Sequence, residues 1–514
     1  MREFNIFGPV YPDKHYHVDR KEVKADLRDR IERGRYITLN AGRQTGKTTI
    51  FREVITELEA TGDYFGILID FEMLAGFDDQ YRYEELGFML ARWREQYQPT
   101  SPDPKPIRHQ GDFVRWLRTA SRTLQKKCVL IIDEFDALGA EITEPILSLF
   151  RGMYLDKNAP NNDAVHSIIL VGVRNIASLL QGTQSPFNIA DQFTVPYFSK
   201  EEILELYTQY SAESNQAFAL DVIESIVRET EGQPFLVNRL AQLLTQDIVP
   251  DRSQTVTRQD LDIALVYLVN ENNSHFASIT SKAIPHRQVL LPMLFYNQMH
   301  TNLRGVATVE LIMYGVLRVV DSDAGGRFAR VSNPIYRKIL ILTFAPSWNE
   351  EFDYGDLHNS HIVNGTINFG ALLEAFKAFM TEHGVRLLKS AKSGRPLEIS
   401  GQYLLLSYLS AALNSVQGTV TIESVSTAGE MDILAFYRGQ RFIVETKIWR
   451  GNAKYEEGKA QLLRYLTAAG LATGYLLIFD ENLATNPVKA EQGEVFDLTL
   501  DEKIVNVYLV SVKV

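Results

Sequence analysis

Residues 40–51 read NAGRQTGKTTIF. A strand-like apolar run, Tyr36–Leu39, leads into them, and an amphipathic stretch, Thr48–Ala60, leads out. A loop between a strand and a helix start presents backbone N–H groups toward an anion. Catching a triphosphate needs small residues so that those groups can approach, a lysine for the β and γ oxygens, and a hydroxyl for Mg²⁺. Gly46, Lys47 and Thr48 fill these roles, with Gly42, Arg43, Gln44, Thr45 and Thr49 completing the candidate cradle. Ala41 stands where a first glycine is expected, but Gly42 follows it directly and keeps the turn tight. A surface loop with a lysine is the plainer reading of a GKT triplet alone; the strand before it and the helix after it argue against that.

Further apolar runs at Phe65–Asp70, Val129–Ile132, Ile168–Val171 and Phe193–Val195 alternate with long amphipathic stretches such as Tyr81–Gln96. That alternation predicts an α/β domain with a parallel sheet covered by helices on both faces. CVLIIDEFDAL (128–138) is a buried-type strand closed by an acidic pair, and this strand is expected to lie beside the phosphate loop. Asp133 is placed to hold the Mg²⁺ shell and Glu134 to activate water. Cys128 reads as a core residue. The Pro-rich QPTSPDPKPIRHQ (98–110) predicts a surface loop. From 199 to about 270 the pattern is helical, opening with Ser199 and Glu202 as a capping box. A helix-rich module with a hairpin near GVLRVVDSDAGGRFARV occupies about 286–345, and the polar stretch 346–365 reads as a linker. There is no internal repeat and no low-complexity tract.

The first 345 residues resemble the AAA+-like and STAND-type P-loop ATPases, especially their archaeal-ATPase-like branch. GRQTGKTT (42–49), LIIDEFDAL (130–138), ILVGVRN (169–175) and EGQPFLVNRLA (231–241) carry the resemblance. It implies ATP as ligand with Mg²⁺, Arg174 as a sensor near the γ-phosphate, and Gly232–Pro234 as a helical-lid element. It also implies that VSNPIYRKIL (331–340) ends a winged-helix-like module. By the same resemblance PDKHYHVDR (12–20) lies near the base, and the chain forms an ATP-dependent homo-oligomer; no arginine finger is identifiable. His15 and His17 have no partner at metal-ligand spacing and read as structural. The expected division is 1–198 ATPase core, 199–275 lid, 276–345 winged-helix-like module, 346–365 linker and 366–514 a second α/β domain.

The 514 residues suit several domains rather than one core. Apolar residues make up 45% and charged residues 23%, as in globular proteins, and no run of about 18 apolar residues suggests a membrane span. The start has no apolar signal-like segment, so a cytoplasmic protein without membrane partners is expected. A single cysteine excludes an intrachain disulfide and a cysteine-based zinc site. The net charge of −11 argues against binding nucleic acid by bulk positive charge. The acidity is uneven: residues 366–514 hold 15 lysines and arginines against 16 acidic residues.

In that last region AGEMDILAFYRGQRFIVETKIW (428–449) reads as a hairpin. FIVETK alternates, so Glu445 and Lys447 share a face. With Arg438 and Gly439 as the turn, Tyr437 faces Gln440 and Asp432 faces Glu445. Asp432 and Glu445 can supply oxygen ligands to Mg²⁺, with Mn²⁺ also suitable, and Lys447 can stabilise charge on a phosphodiester. Glu398 opens a helical stretch, EISGQYLLLSYLSAAL, and Gln461 and Tyr465 lie i,i+4 on YEEGKAQLLRYL. A Glu445–Lys447 ion pair on an exposed sheet face is the competing structural reading. The basic cluster KSAKSGR (389–395), with Arg386 before it, can contact a phosphate backbone or simply be a solvated loop. The ordered series Glu398, Asp432, Glu445-x-Lys447, Gln461-x3-Tyr465 resembles the PD-(D/E)XK nuclease superfamily over about 366–514. It implies a metal-dependent nuclease acting on nucleic acid, expected to be DNA. The architecture thus suggests an ATP-controlled nuclease of the kind associated with phage or mobile-element defence. A STAND-like switch whose nuclease fold binds DNA or a partner without cutting is the alternative, and a DNA motor a third.

Overall fold

The computed structural model describes residues 1–39, 42, 44–104, 106–155, 165–172, 189–295, 302–321, 325–344, 361–363, 366–388, 398–414, 419–426 and 429–512. The chain forms two compact units. One comprises Met1–Leu206, Gln233–Phe235 and Arg304–Gly315; the other comprises Tyr207–Gly232, Leu236–Leu303 and Val316–Val514.

In the first unit β1 (Ile37–Leu39), β2 (Tyr64–Asp70), β3 (Lys127–Asp133), β4 (Ser167–Val171) and β5 (Asp191–Phe193) form a parallel sheet in the order β2-β3-β4-β1-β5. Its strands are nearly continuous apolar runs because both faces are covered. Phe65, Leu130, Ile132, Ile168 and Leu170 pack on one side with Phe113, Leu117, Leu147 and Phe150 of helices Gln110–Leu124 and Ala140–Leu155. Ile37, Leu39, Val129, Ile131 and Ile169 face the other way, against helices Lys21–Glu32 and Lys47–Ala60. The alternation expected from sequence is present, and β3 ends beside the phosphate loop although it is not the neighbour of β1. β3 does not adjoin β1; β4 lies between them and pairs with both. β4 is itself wholly apolar and buried, so periodicity could not say which of the two strands sits nearer the loop.

The Pro-rich segment 98–110 is less free than a surface loop. Ile107 and Ser101 are buried, Arg94 Nε donates to Ser101 O at 2.6 Å, and Trp116 Nε1 donates to Pro102 O at 3.0 Å. The Ser199 capping box is present: Glu202 N donates to Ser199 Oγ at 3.2 Å and Ser199 N to Glu202 Oε2 at 2.8 Å.

The second unit combines helices with a mixed sheet. Helices Leu220–Thr230, Arg258–Val269, Ser274–Ala283 and Pro334–Phe344 accompany the hairpin β6 (Leu317–Asp321)–β7 (Arg327–Val331), which lies where the sequence placed one. Lys338 and Glu229 form a buried pair at 3.0 Å, and Glu231 accepts from Arg330 at 2.6 Å and also pairs with Arg318. Most of the expected linker lies outside the described residues. Its end does not behave as one: Ile362–Val363 (β8) pairs antiparallel with Thr366–Ile367 (β9). Helices Phe369–Leu388 and Glu398–Asn414 follow.

The C-terminal sheet runs β10 (Thr419–Ser426), β11 (Gly429–Tyr437), β12 (Gln440–Ile448), β13 (Thr473–Asp480), β15 (Lys503–Ser511), β14 (Val495–Leu500) in spatial order. β10, β11 and β12 form an antiparallel meander, whereas β12, β13 and β15 are parallel. Helix Asn452–Ala469 makes the crossover from β12 to β13 and buries Leu462, Tyr465 and Leu466 against Leu434, Ile443 and Leu476. Helix Glu398–Asn414 also packs closely on the sheet. A Cβ at Gly401 would lie 2.4 Å from the Phe479 ring of β13.

Gly401 therefore gives a test in which packing and propensity have opposite signs. Alanine in a helix interior is ordinarily stabilising by about 0.5–1 kcal/mol over glycine. Here Gly401→Ala is expected to destabilise by about 1–3 kcal/mol, because a large ring must move. Urea unfolding of the variant checks this, and increased stability would show that the helix does not sit this close to β13.

Candidate functional site

The nucleotide half lies at the carboxyl ends of β1 and β3. Gly46 has φ +84°, a left-handed conformation that glycine adopts without a Cβ penalty, and Gln44 is left-handed as well. The turn they make delivers Lys47, which is buried, and Thr48 to the first turn of helix Lys47–Ala60. Thr45 Oγ1 donates to Gly42 O at 3.2 Å and closes the loop on itself. A Cβ on Gly42 would lie 3.1 Å from Tyr314 O, so glycine is needed there for close approach rather than for an unusual φ.

Thr48 Oγ1 lies 3.4 Å from Asp133 Oδ2. The hydroxyl and the carboxylate that the sequence assigned to one Mg²⁺ thus meet, although β4 separates their strands. Glu134 takes a left-handed φ of +46°, which turns the chain just after β3, and its N–H donates to Asp133 Oδ1 at 3.0 Å. Asn40, Ala41, Arg43 and Arg174 lie outside the described residues, so the sensor reading of Arg174 has no geometry here.

Sequence reasoning missed Asp70. In the β2–β3 register it stands directly beside Asp133. Burial raises its carboxyl above the usual carboxylate range, and the neighbouring Asp133 charge adds to this, against the N–H of Glu72. The available signal was the shared ending of FGILID and VLIID, two buried strands that both finish on aspartate.

The N-terminal segment crosses the same loop. Gln44 Nε2 donates to Ile6 O at 3.3 Å and Val10 N to Thr49 Oγ1 at 3.2 Å. Arg20 anchors it from behind, donating to Pro196 O at 2.8 Å and pairing with Glu202 at 3.0 Å. The histidines serve this segment separately: His15 Nδ1 accepts from Tyr11 N at 3.0 Å, and His17 pairs with Glu53 at 2.7 Å.

In the second unit, Arg438 and Gly439 form the two-residue turn and Tyr437 pairs with Gln440, as the hairpin reading required. The β11–β12 ladder ends at Ile433↔Val444. Beyond it the strands part, and the N–H of Thr446 turns to Asp432, donating to Oδ2 at 2.7 Å; Thr446 Oγ1 donates to the same oxygen at 2.9 Å. Glu445 and Lys447 are both buried, and Lys447 Nζ donates to Glu445 Oε1 at 2.7 Å and to Thr446 O at 3.0 Å. The ion pair of the competing reading therefore forms, but inside the protein and beside Asp432 rather than facing solvent.

Helix Asn452–Ala469 lies over this fork. Gly458 permits the approach: a Cβ there would lie 2.9 Å from Lys447 Cγ. Tyr465, seven residues on and on the same face, is buried. Its hydroxyl is pushed up to about 12, first by burial and then by the negative charges of Glu445 and Asp432. Gln461 Oε1 is shielded from solvent and has no hydrogen-bond partner among the described residues. Glu398 is the first residue of its helix, but its side chain lies outside the described residues, as do KSAKSGR (389–395) and the Arg386 side chain. Among the described residues no group of three or more His, Cys, Asp or Glu side chains is placed to hold a metal. Asp432 and Glu445 are two oxygen donors of suitable chemistry, and a Mg²⁺ there needs further ligands from Glu398, backbone or water.

The buried pair gives a stability test. Lys447→Met leaves the Glu445 carboxylate without its ammonium partner and is expected to cost about 3–5 kcal/mol. The double variant Glu445→Leu/Lys447→Met is expected to recover most of that loss. Denaturant titrations of the wild-type, single and double variants check it; equal destabilisation in both variants would show that the pair is not desolvated.

Residues 118–263 match the family model of an AAA-like domain. No curated protein matches the chain. Among solved structures it is similar to the Walker-type ATPase of Pyrococcus abyssi, at 18% identity over 66% of this chain and 99% of that one, with a TM-score of 0.45. It is also similar to the Cdc6p protein of Pyrobaculum aerophilum, at 14% identity over 68% and 98% of the two chains and a TM-score of 0.37. For the Aeropyrum pernix Orc1 protein, solved in complex with DNA, the values are 14%, 66%, 95% and 0.34. Among the described residues no helix is long and apolar enough to cross a membrane.

Proposed function

We propose that the first unit binds and hydrolyses ATP and that ATP controls a Mg²⁺-dependent nuclease formed by the C-terminal α/β region. The observation that supports the ATPase is the meeting of Thr48 and Asp133 at 3.4 Å beside Lys47. Gly46, Lys47 and the loop N–H groups receive the phosphates, and Thr48 with Asp133 holds the Mg²⁺. Glu134 takes the proton of the attacking water, and Arg174 senses the γ-phosphate. The N-terminal segment, tied to the loop at Gln44 and Thr49, sits where the base is expected. ATP binding promotes a homo-oligomer, as the AAA-like match makes reasonable.

The nuclease reading rests on the buried fork of Asp432, Glu445 and Lys447 under the Gln461–Tyr465 helix. Asp432 and Glu445 hold Mg²⁺ or Mn²⁺ with help from Glu398. A bound divalent ion lowers the pKa of its water and offsets charge growing on a phosphodiester. Lys447 donates to that developing charge, Gln461 presents its carbonyl oxygen or amide to substrate or water, and Tyr465 orients the site. The nucleic acid is DNA, gripped locally rather than by net charge. The alternative, a STAND-like switch whose nuclease fold binds without cutting, gains support from one observation: Lys447 occupies one of the two Glu445 carboxylate oxygens that could bind a metal.

One measurement tests the ATPase, and a second separates the nuclease from the switch. Lys47→Ala is expected to weaken ATP binding by at least about tenfold, and Glu134→Gln to keep binding while slowing hydrolysis. Titration with a fluorescent ATP analogue plus a phosphate-release assay checks both; unchanged binding in Lys47→Ala removes the ATPase assignment. For the nuclease, supercoiled, linear and single-stranded DNA are incubated with and without ATP and with Mg²⁺ or Mn²⁺. Asp432→Ala is expected to lower cleavage on the order of a hundredfold or more. A wild-type chain that binds DNA but leaves every substrate intact supports the switch.

A further inference from the structure

Side chains on one face of the β11–β12 hairpin follow each other at every second residue. Asp432, Leu434 and Phe436 share that face on β11, and Arg441, Ile443 and Glu445 share it on β12, with Leu434 opposite Ile443 and Phe436 opposite Arg441. The carboxylates occupy one end. At the other end, near the Arg438–Gly439 turn, the second unit contains a cavity of about 400 Å³. Leu434, Phe436, Ile443 and Leu471 form its apolar wall, and the first turn of helix Arg258–Val269 closes the opposite side. This is within the size range of pockets that enclose a small organic molecule.

Its polar groups are few and fixed. Arg441 Nη2 donates to Ala469 O at 2.9 Å, which holds the guanidinium at the wall. Arg258 is held by Asp262, with Nε to Oδ1 at 3.1 Å, and by the Ser225 hydroxyl. Asp262 offsets Arg258, so Arg441 is the lining cation whose hydrogen bond goes to a neutral carbonyl, beside the apolar wall. Thr257 and Asp260 already satisfy N–H groups at the helix start through a capping box, so charge recognition there falls to the arginines.

We propose that this cavity is a binding site for a small amphipathic monoanion: a compact apolar body, ring or short alkyl chain, that lies on Phe436 and Leu434 and carries one carboxylate or sulfonate group that meets Arg441, with Arg258 beside it. The site does not depend on nuclease or ATPase activity. It shares the hairpin with Asp432 and Glu445, so an occupant would stiffen the element that carries both carboxylates.

The probe is 1-anilinonaphthalene-8-sulfonate, an aromatic body with one sulfonate, titrated into the full-length protein. One saturable site per chain is expected, displaced by octanoate and not by octylamine at equal concentration. Arg441→Gln is expected to weaken binding about tenfold, as for loss of a hydrogen bond to a charged group. Ala469→Trp, which fills the cavity from the end of helix Asn452–Ala469, is expected to abolish it. Unchanged circular dichroism and melting temperature in each variant show that the fold is retained. Should Ala469→Trp fail to fold, Arg441→Gln and the octanoate–octylamine contrast decide alone. Non-saturable fluorescence, equal displacement by octylamine, or binding that survives these variants would overturn the proposal.

Discussion

Lys447 donates a 2.7 Å hydrogen bond to Glu445 within the protein, and much of the C-terminal region is arranged to keep that pair out of water. Removing two charges from solvent costs several kcal/mol each, which their attraction offsets only if further hydrogen bonds are made. Thr446 supplies one of them, since its carbonyl accepts from Lys447, while its N–H and hydroxyl hold Asp432 beside the pair. The strands must part beyond Ile433 and Val444 for this to happen, since a continued ladder would take the Thr446 N–H. The covering helix must come close, and Gly458 lets it do so. The fork holds Asp432 beside the ion pair, and the missing side chain at Gly458 lets the helix come down on Lys447.

The nucleotide half meets the same constraint with a different device. Its parallel strands are apolar on both faces, so charge can stand only where they end. Asp70 and Asp133 finish adjacent strands, and Thr48 arrives from a loop shaped by the left-handed Gln44 and Gly46. Burial raises the Asp70 carboxyl above the usual carboxylate range, and the Asp133 charge beside it adds to the rise. A cation between such groups would relieve it, which is why the pair is chemically apt for Mg²⁺.

An ion pair between Glu445 and Lys447 and a metal on the same carboxylate are not mutually exclusive, because Lys447 is bonded to one carboxylate oxygen, Oε1. An ammonium placed on a buried carboxylate holds it in position and keeps its charge tolerable. The same ammonium is then at hand for another anion. Around the pair stand Asp432, held in place by Thr446, the shielded Gln461 carbonyl oxygen, and Tyr465, whose hydroxyl is raised first by burial and then by the Glu445 and Asp432 charges.

Alternation of apolar residues was enough, in the sequence alone, for the parallel α/β sheet, the β6–β7 hairpin, and the β11–β12 hairpin with its turn and register, because local backbone geometry sets periodicity. The GKT triplet and the acidic pair after a buried strand were likewise legible, since phosphate chemistry limits which residues can stand there. Three matters were decided only by tertiary structure. β4 entered between β1 and β3, because strand order depends on which buried apolar runs pack together, and these runs look alike. Asp70 met Asp133 through pairing of strands more than fifty residues apart. Burial of Glu445 and Lys447 came from a helix that crosses at Gly458, a contact that no pattern within FIVETK encodes.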